Sequence, residues 1–224
     1  MAIRVIITGS TGMVGEGVLH EGLLHSDVAS VLVINRRPCG VTHLKLREII
    51  QADFSDFSGL ERELAGYNAA FLCMGTSSVG MKEEQYRHVT YDCTLALARP
   101  LSRLNPEMTV TYVSGAGTDS TEQGRSMWAR VKGKTENDLM KLPFRQAFMF
   151  RPAYMQPTQG LKRAWTIAKI IAPLFPLWKL LLPNYVCTLQ EVGVAMINAV
   201  TTGFTKKILD TPDIIALARL SPRT

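Results

Sequence analysis

A glycine-rich turn that directly follows an apolar run is the feature of this sequence that most constrains its fold. Residues 3–7 are mostly apolar and predict a buried strand. The glycines of the turn have separate uses: Gly9 tolerates backbone angles that other residues avoid, Gly12 lets the main chain approach a ligand, and Gly15 lets a helix pack closely. The whole turn comprises Thr8, Gly9, Ser10, Thr11, Gly12, Met13, Val14 and Gly15.

The residues around the turn complete a strand–helix–strand unit. Val14, Val18, Leu19 and Leu23 recur at helical spacing, and a second apolar run at 31–34 has the length of a strand. The free amides and the positive dipole end of that helix would face the turn, where a pyrophosphate group is favoured. The unit therefore predicts a Rossmann-type dinucleotide site.

The remaining chain continues the alternation of strands and helices. Apolar runs at 44–50, 69–73, 108–113 and 145–150 predict further buried strands, and the longest helical pattern spans 83–103. We expect an α/β fold, a doubly wound parallel sheet of six or seven strands with helices on both sides. At 224 residues the chain is expected to form a single domain, 1–224.

A small C-terminal, substrate-side extension is predicted at 152–187, where prolines mix with large apolar residues. Within it, 164–182 is almost wholly apolar, but lysines and prolines interrupt it, so a membrane span is not expected. A buried lid or a face for a homo-oligomer fits better. An amphipathic helix at 188–200 is expected to pack on the sheet.

Composition excludes several function classes. The net charge is +6, but the basic residues are dispersed among acids, so no nucleic-acid surface is expected. The four cysteines lack short spacings and the four histidines are not grouped, so neither a metal site nor a disulfide framework is predicted. Because no signal sequence is evident, a cytoplasmic location is the expectation.

The end of the second predicted strand indicates which dinucleotide is bound. An acid at this position would hold the ribose hydroxyls and repel a 2′-phosphate, but this chain has Asn35 there, followed by Arg36 and Arg37. Guanidinium groups clamp phosphate through paired, charge-assisted hydrogen bonds, so NADP(H) is favoured over NAD(H). The alternative is an exposed pair of arginines that solvates a turn.

Asp53 and Phe54 follow the third predicted strand. Asp53 could accept the adenine amino group while Phe54 flanks the ring. Alternatively, Asp53 caps the short helix that follows.

These motifs together resemble the atypical short-chain dehydrogenase/reductases, in particular the branch of Tat-interacting-protein oxidoreductases and sugar-nucleotide epimerase-like proteins. The resemblance covers about residues 2–155. It implies that the turn after the fourth strand passes the cofactor and that the next strands contribute to the same site. The residues that carry it beyond the first turn are Cys73, Met74, Gly75, Thr76, Ser114, Arg151 and Pro152.

The resemblance also implies a catalytic set with one member missing. The family uses a Ser or Thr that holds the substrate carbonyl, a Tyr that donates the proton, and a Lys four residues later that binds the nicotinamide ribose. Ser114 and Lys132 match the first and the last, but Trp128 stands at the Tyr position. Indole does not titrate, so Trp128 cannot relay a proton; it is either a stacking wall of the pocket or a packing residue.

Three functions remain open at this point. The first is an oxidoreductase for a small carbonyl or quinone-type substrate with another proton donor, for which Tyr154 and Tyr91 are candidates. The second is an NADPH-sensing or scaffold protein without turnover, and the third is a sugar-nucleotide epimerase.

Overall fold

A seven-stranded parallel sheet organises the part of the chain that the computed structural model describes, residues 2–158, 160–162 and 175–220. The strand order is β3-β2-β1-β4-β5-β6-β9, and a separate parallel pair joins β7 to β8. The doubly wound α/β fold is thereby confirmed. The strands are β1 (Ile3–Thr8), β2 (Val28–Asn35), β3 (Leu46–Ile50), β4 (Ala69–Leu72), β5 (Thr109–Val113), β6 (Gln146–Arg151), β7 (Tyr154–Gln156), β8 (Val186–Thr188) and β9 (Ile208–Asp210).

Helices cover both faces of the sheet. Where the sequence predicts one helix over 83–103, the structure has two α-helices joined without a break by a π-helix, His88–Asp92. Such π-turns insert an extra residue into a helix and are frequent at functional sites. The α-helices are α1 (Met13–Leu24), α2 (Glu61–Leu64), α3 (Glu83–Arg87), α4 (Cys93–Leu104), α5 (Met127–Lys141), α6 (Phe175–Leu181), α7 (Leu189–Thr201) and α8 (Thr211–Ala218).

The core has two halves, one on each side of the sheet. Successive strand residues point to opposite faces, so Val5 and Ile7 pack with α1, α7 and α8, whereas Ile6 packs with α2, α4 and α5. Both faces of the central strands are therefore buried, which explains why these strands are continuous apolar runs rather than alternating ones.

The topology creates one crevice at the carboxyl edge of the sheet. From β1 the chain crosses towards β2, and from β4 it crosses towards β5, so the loops diverge between the adjacent strands β1 and β4. Ligands of open α/β sheets bind at such a switch point.

The C-terminal part differs most from the sequence prediction. The predicted helix at 188–200 is present as α7, and Thr188 caps it by accepting the backbone N–H of Glu191. The short strand β9 pairs with β6 and was not predicted, because three residues carry too little pattern. The predicted 164–182 lid or oligomer face lies mostly outside the described residues. Among the described helices, none has the length and apolar character that a bilayer crossing requires.

Candidate active site

The glycine turn between β1 and α1 is packed too tightly for side chains at two of its glycines. Gly9 has a φ of +73°, and a Cβ there would lie 2.6 Å from the carbonyl oxygen of Cys73 at the end of β4. A Cβ on Gly15 would lie 2.1 Å from the carbonyl oxygen of Gly9. At Gly12, by contrast, a Cβ would meet only that same oxygen, at 3.4 Å. The main chain at Gly12 thus borders open space that a ligand could fill.

Helix α1 begins at this open space. Gly12 is its N-cap residue and provides no side-chain cap, so the first backbone N–H groups of the helix have no intrahelical acceptor. They carry the positive end of the helix dipole, which favours an anionic group. The turn and the helix end together fit the pyrophosphate of a dinucleotide.

A cavity of about 420 Å³ lies beside this helix end, at the carboxyl edge of the sheet. Most of its lining was predicted from the sequence as site residues, whereas Ser77, Ser78, Tyr86, Val113 and Met155 were not. The predicted residues that the fold brings together here are Gly12, Met13, Val14, Cys73, Met74, Gly75, Thr76, Ser114, Trp128 and Lys132.

Ser10 and Asn35 form a buried link between the glycine turn and the end of β2. The Ser10 hydroxyl lies 3.0 Å from Asn35 Oδ1 and 2.8 Å from Asn35 Nδ2, and the same Nδ2 donates to Glu48 Oε1 at 2.8 Å. Both residues are almost fully buried. Arg36 and Arg37, which follow, are exposed at the carboxyl edge.

The predicted adenine contact is only partly available. Phe54 is largely buried and its ring packs edge-to-face on Phe57 with centroids 5.5 Å apart, which leaves little of it for an adenine, so that contact stays a prediction. Asp53 is exposed and its Oδ1 accepts the backbone N–H of Ser55 at 2.7 Å. No helix starts next to Asp53, so the alternative that it caps one is wrong.

Ser114 reaches the cavity from the end of β5, but its hydroxyl is turned inward. It donates to Oε1 of Glu136, a fully buried carboxylate on α5, and lies 3.1 Å from the carbonyl oxygen of Phe150. Towards the cavity this oxygen can therefore accept a hydrogen bond, whereas donation to a substrate carbonyl would require breaking the bond to Glu136. Sequence reasoning missed Glu136.

Arg151 is the ion-pair partner of Glu136 in the interior. Its Nε donates to the two carboxylate oxygens at 3.0 and 3.1 Å, and its terminal nitrogen pairs with Glu136 and with the Ser120 hydroxyl. Arg151 does not line the cavity, and neither does the buried Pro152. The geometry therefore gives Arg151 a structural partner instead of the predicted cofactor contact.

Lys132 and Trp128 stand one turn apart on α5 and both line the cavity. The Lys132 Nζ donates to the carbonyl oxygen of Ser114. Burial lowers the pKa of Lys132 to about 8, although nearby Glu136 favours the ammonium form and partly opposes the shift. The Trp128 ring lies against Gly117, with its Cη2 atom 3.4 Å from the place of a Cβ there. Trp128 is thus a wall of the cavity.

Neither tyrosine considered as a substitute proton donor lines this cavity. Tyr91 donates to Asp138 at 2.8 Å and lines a separate cavity of about 210 Å³. Tyr154 donates to Gln156 at 2.9 Å, and its ring packs on Trp178. The tyrosine that does line the cavity is Tyr86 of α3, whose pKa burial raises. Tyr86 lies two residues before the π-helix, and the sequence analysis did not single it out.

The remaining titratable side chain of the cavity is a thiol. Burial raises the pKa of Cys73 to about 12, so it stays protonated near neutral pH and is a poor nucleophile. Among the described residues, no three His, Cys, Asp or Glu side chains group as metal ligands. The ionisable chemistry of the cavity therefore centres on Lys132.

Comparison with known proteins agrees with this fold. A family model described as the NAD dependent epimerase/dehydratase family matches residues 5–127. Among curated proteins, "Protein FMP52-2, mitochondrial" of Scheffersomyces stipitis is 26% identical over 69% of this chain and 67% of its own. "Protein FMP52, mitochondrial" of Saccharomyces cerevisiae is 28% identical over 66% of this chain and 63% of its own.

Two solved structures illustrate the structural likeness. A short-chain dehydrogenase/reductase family oxidoreductase from Burkholderia thailandensis superposes with a TM-score of 0.69 at 13% identity, covering 95% of this chain and 93% of its own. WbmF from Bordetella bronchiseptica, in complex with NAD+ and UDP, gives a TM-score of 0.64 at 16% identity, over 96% and 75%. The resemblance to short-chain dehydrogenase/reductases that the sequence predicted is confirmed.

One sequence-based expectation fails in this comparison. The cytoplasmic location rested on the absence of a recognisable signal sequence. The FMP52 relatives from Scheffersomyces stipitis, Debaryomyces hansenii and Saccharomyces cerevisiae are all named as mitochondrial, which contradicts it. A missing secretory signal does not discriminate between compartments inside the cell, so the inference was too broad.

Proposed function

This chain belongs to the NAD-dependent epimerase/dehydratase family, and from that membership we propose that it is an NADP(H)-dependent oxidoreductase that reduces a small carbonyl or quinone-type compound. The observation that carries the proposal is the cavity beside the glycine turn. Its lining is largely apolar, and Lys132 is the single charged side chain among the described residues that line it. A mostly apolar site with a single cationic proton donor suits the reduction of an uncharged carbonyl.

The residues present fit the coenzyme. The open backbone at Gly12 and the free amides of α1 would hold the pyrophosphate. Arg36 and Arg37 are exposed at the end of β2 and would bind the 2′-phosphate. The loop at Met74, Gly75 and Thr76 lines the cavity and would border the nicotinamide half.

Bound NADPH would supply the hydride that adds to the substrate carbon, and this chain has to provide the proton for the oxygen. Lys132 is placed to do so, because it lines the cavity and burial lowers its pKa to about 8. Its ammonium would stabilise the negative charge that develops on the oxygen, donate a proton, and be reprotonated by solvent. Trp128 would exclude water on one side of the cavity.

The character of the lining argues for an apolar substrate. Met13, Met74 and Met155 offer soft, adaptable surfaces, and Trp128 adds a flat aromatic face. A sugar nucleotide carries a diphosphate whose negative charges favour several cations, whereas the described lining provides Lys132 alone as a cation. We therefore rank the epimerase below the carbonyl reductase.

A second candidate function follows from Trp128. Because indole cannot exchange a proton, the protein could bind NADPH and change its contacts with a partner without turnover. The hydroxyl of Ser114 also favours a protein without turnover, because it points inward and donates its hydrogen bond to Glu136.

One experiment separates these functions. We expect NADPH to raise the melting temperature of the purified protein through mass action, and at least one aldehyde, ketone or quinone in a panel to oxidise it. Binding without oxidation by any compound would overturn the reductase and support the sensor. If neither NADPH nor NADH binds in calorimetry, both proposals fail.

The choice of coenzyme has its own test. Replacing Arg36 by Asp removes a charge-assisted contact worth about 2–3 kcal/mol, so the Kd for NADPH should rise roughly 30- to 150-fold while that for NADH changes little. Arg103→Asp is the matched control, because Arg103 is exposed at the end of α4 and therefore lies at the opposite edge of the sheet. Equal weakening of both coenzymes by Arg36→Asp would contradict the phosphate clamp.

A further inference from the structure

A carboxylate behind the arginine-bearing loop is the basis of one further inference. Glu48 lies on β3, and its Oε1 accepts two hydrogen bonds: one from Asn35 Nδ2 at 2.8 Å and one from the backbone N–H of Cys39 at 2.9 Å. Asn35 ends β2, and Cys39 lies beyond the two arginines. One oxygen atom thus holds both ends of the loop that carries Arg36 and Arg37.

The same hydrogen-bond chain reaches the glycine turn. Asn35 bonds to the hydroxyl of Ser10, so Ser10, Asn35, Glu48 and Cys39 form a continuous series from the glycine turn to the arginine loop. Ser10 is 1% exposed and Asn35 2% exposed, and buried bonds of this kind resist exchange with water. The two segments that would contact the two phosphate groups of the coenzyme are therefore held at a fixed distance.

The position of Glu48 on the sheet keeps this arrangement rigid. Glu48 pairs with Val33 and Asn35 pairs with Ile50 in the parallel ladder of β2 and β3, so the backbones beneath both side chains are fixed. The arginine side chains themselves are exposed. Fixing their backbone lowers the entropy that they lose when they close on an anion.

We propose that Glu48 is a positioning residue for coenzyme selectivity: by holding the Arg36–Arg37 loop against the glycine turn, it sets the preference for a 2′-phosphorylated adenosine coenzyme. The inference rests on the proposed NADP(H) function. Glu48 lies on β3 rather than at the end of β2, where the acid that selects NAD(H) stands, and its Oε1 already accepts two N–H groups. Its role is to accept hydrogen bonds, and the negative charge itself is not required.

Two substitutions of Glu48 separate hydrogen-bond acceptance from negative charge. In Glu48→Gln the amide oxygen can still accept both N–H groups, so we expect the ratio of the NADH Kd to the NADPH Kd to stay within about twofold of wild type. In Glu48→Ala both ends of the loop are released, and the ratio should fall about tenfold, chiefly through weaker NADPH binding. Calorimetric titration with NADPH, NADH, 2′,5′-ADP and 5′-AMP measures these affinities without turnover.

Each outcome separates this inference from the proposed function. If wild-type protein does not prefer NADPH, the proposed NADP(H) function fails. If wild type prefers NADPH but Glu48→Ala keeps that preference, or weakens all four ligands equally, the role of Glu48 is overturned. The same holds if Glu48→Gln behaves like Glu48→Ala, because the charge would then matter.

Two further variants test the same hydrogen-bond chain. Should Glu48→Ala not fold, Glu48→Asp keeps the charge but shortens the side chain by one methylene, and it should lower the ratio in the same direction. Ser10→Ala cuts the chain on the other side of Asn35, where the loop anchor at Cys39 remains. It should lower the ratio in the same direction as Glu48→Ala but by less, and an unchanged ratio would contradict the role of this hydrogen-bond chain in coenzyme selectivity.

Discussion

Replacement of Lys132 by Met is expected to reduce carbonyl-dependent NADPH oxidation by about 10²- to 10⁴-fold, the usual contribution of a positioned general acid. Methionine preserves much of the side-chain volume, so the cavity should keep its shape and NADPH should still bind. Lys134→Met is the matched control on the same helix. Its ammonium pairs with Asp138 at 2.9 Å and lines the other cavity, so its loss should leave the rate within about twofold.

The pH dependence follows from the same group. Burial lowers the pKa of Lys132 to about 8, and the protonated form is the one that donates. The rate of reduction should therefore be highest below this pKa and fall as the pH rises through about 8. The profile of Lys132→Met should lack this descending limb. A wild-type rate that is flat across this range, or a Lys132→Met rate close to wild type, would show that another group gives the proton.

Replacement of Glu136 by Leu is expected to destabilise the fold by about 3–5 kcal/mol, because it leaves the Arg151 guanidinium buried without its carboxylate. Glu136 is fully buried, and the Arg151 side chain is only 14% exposed, so water cannot readily take over the lost bonds. Ser114 loses its acceptor as well. Denaturant unfolding followed by tryptophan fluorescence measures the loss as a lower midpoint at unchanged slope.

The matched control for this prediction removes both charges. In the double variant Glu136→Leu with Arg151→Met, no buried charge is left unpaired, so the free energy of unfolding should return to within about 2 kcal/mol of wild type. Arg151→Met alone should lower the free energy of unfolding as much as Glu136→Leu does, since it leaves the buried carboxylate without its partner. If the double variant were less stable than either single variant, the pair would be a net stabilising element in its own right.

The first half of the fold follows from local sequence patterns. The strand–turn–helix at Gly9 to Gly15 was predictable because the backbone of this tight turn leaves no room for some side chains. Glycine is therefore required at fixed positions. The buried strands were predictable because both their faces pack under helices, which makes them continuous apolar runs. Their ends were less certain: the run at 44–50 yields a strand only at Leu46–Ile50, where pairing with β2 begins.

The features that sequence analysis missed depend on contacts between distant residues. Ser114 follows β5 and Glu136 lies on α5, so their hydrogen bond joins residues that are far apart in the sequence. No local sequence pattern indicates that the serine hydroxyl points inward. Phe54 follows a strand, as an adenine-flanking ring would, but it is buried because Phe57 and the helices below it complete the core. The sequence alone does not distinguish Glu48 from any other charged residue of a strand. Its role follows from the two N–H groups that donate to it.

The π-helix at His88–Asp92 has a consequence for how this chain can vary. Each residue of an α-helix turns the chain by about 100°, so an added or lost residue in this stretch would change the rotational phase between α3 and α4. Tyr86 faces the cavity and Leu97 faces the core only because that phase is kept. Insertions and deletions should therefore be tolerated in the surface loops of this protein far more readily than in these five residues.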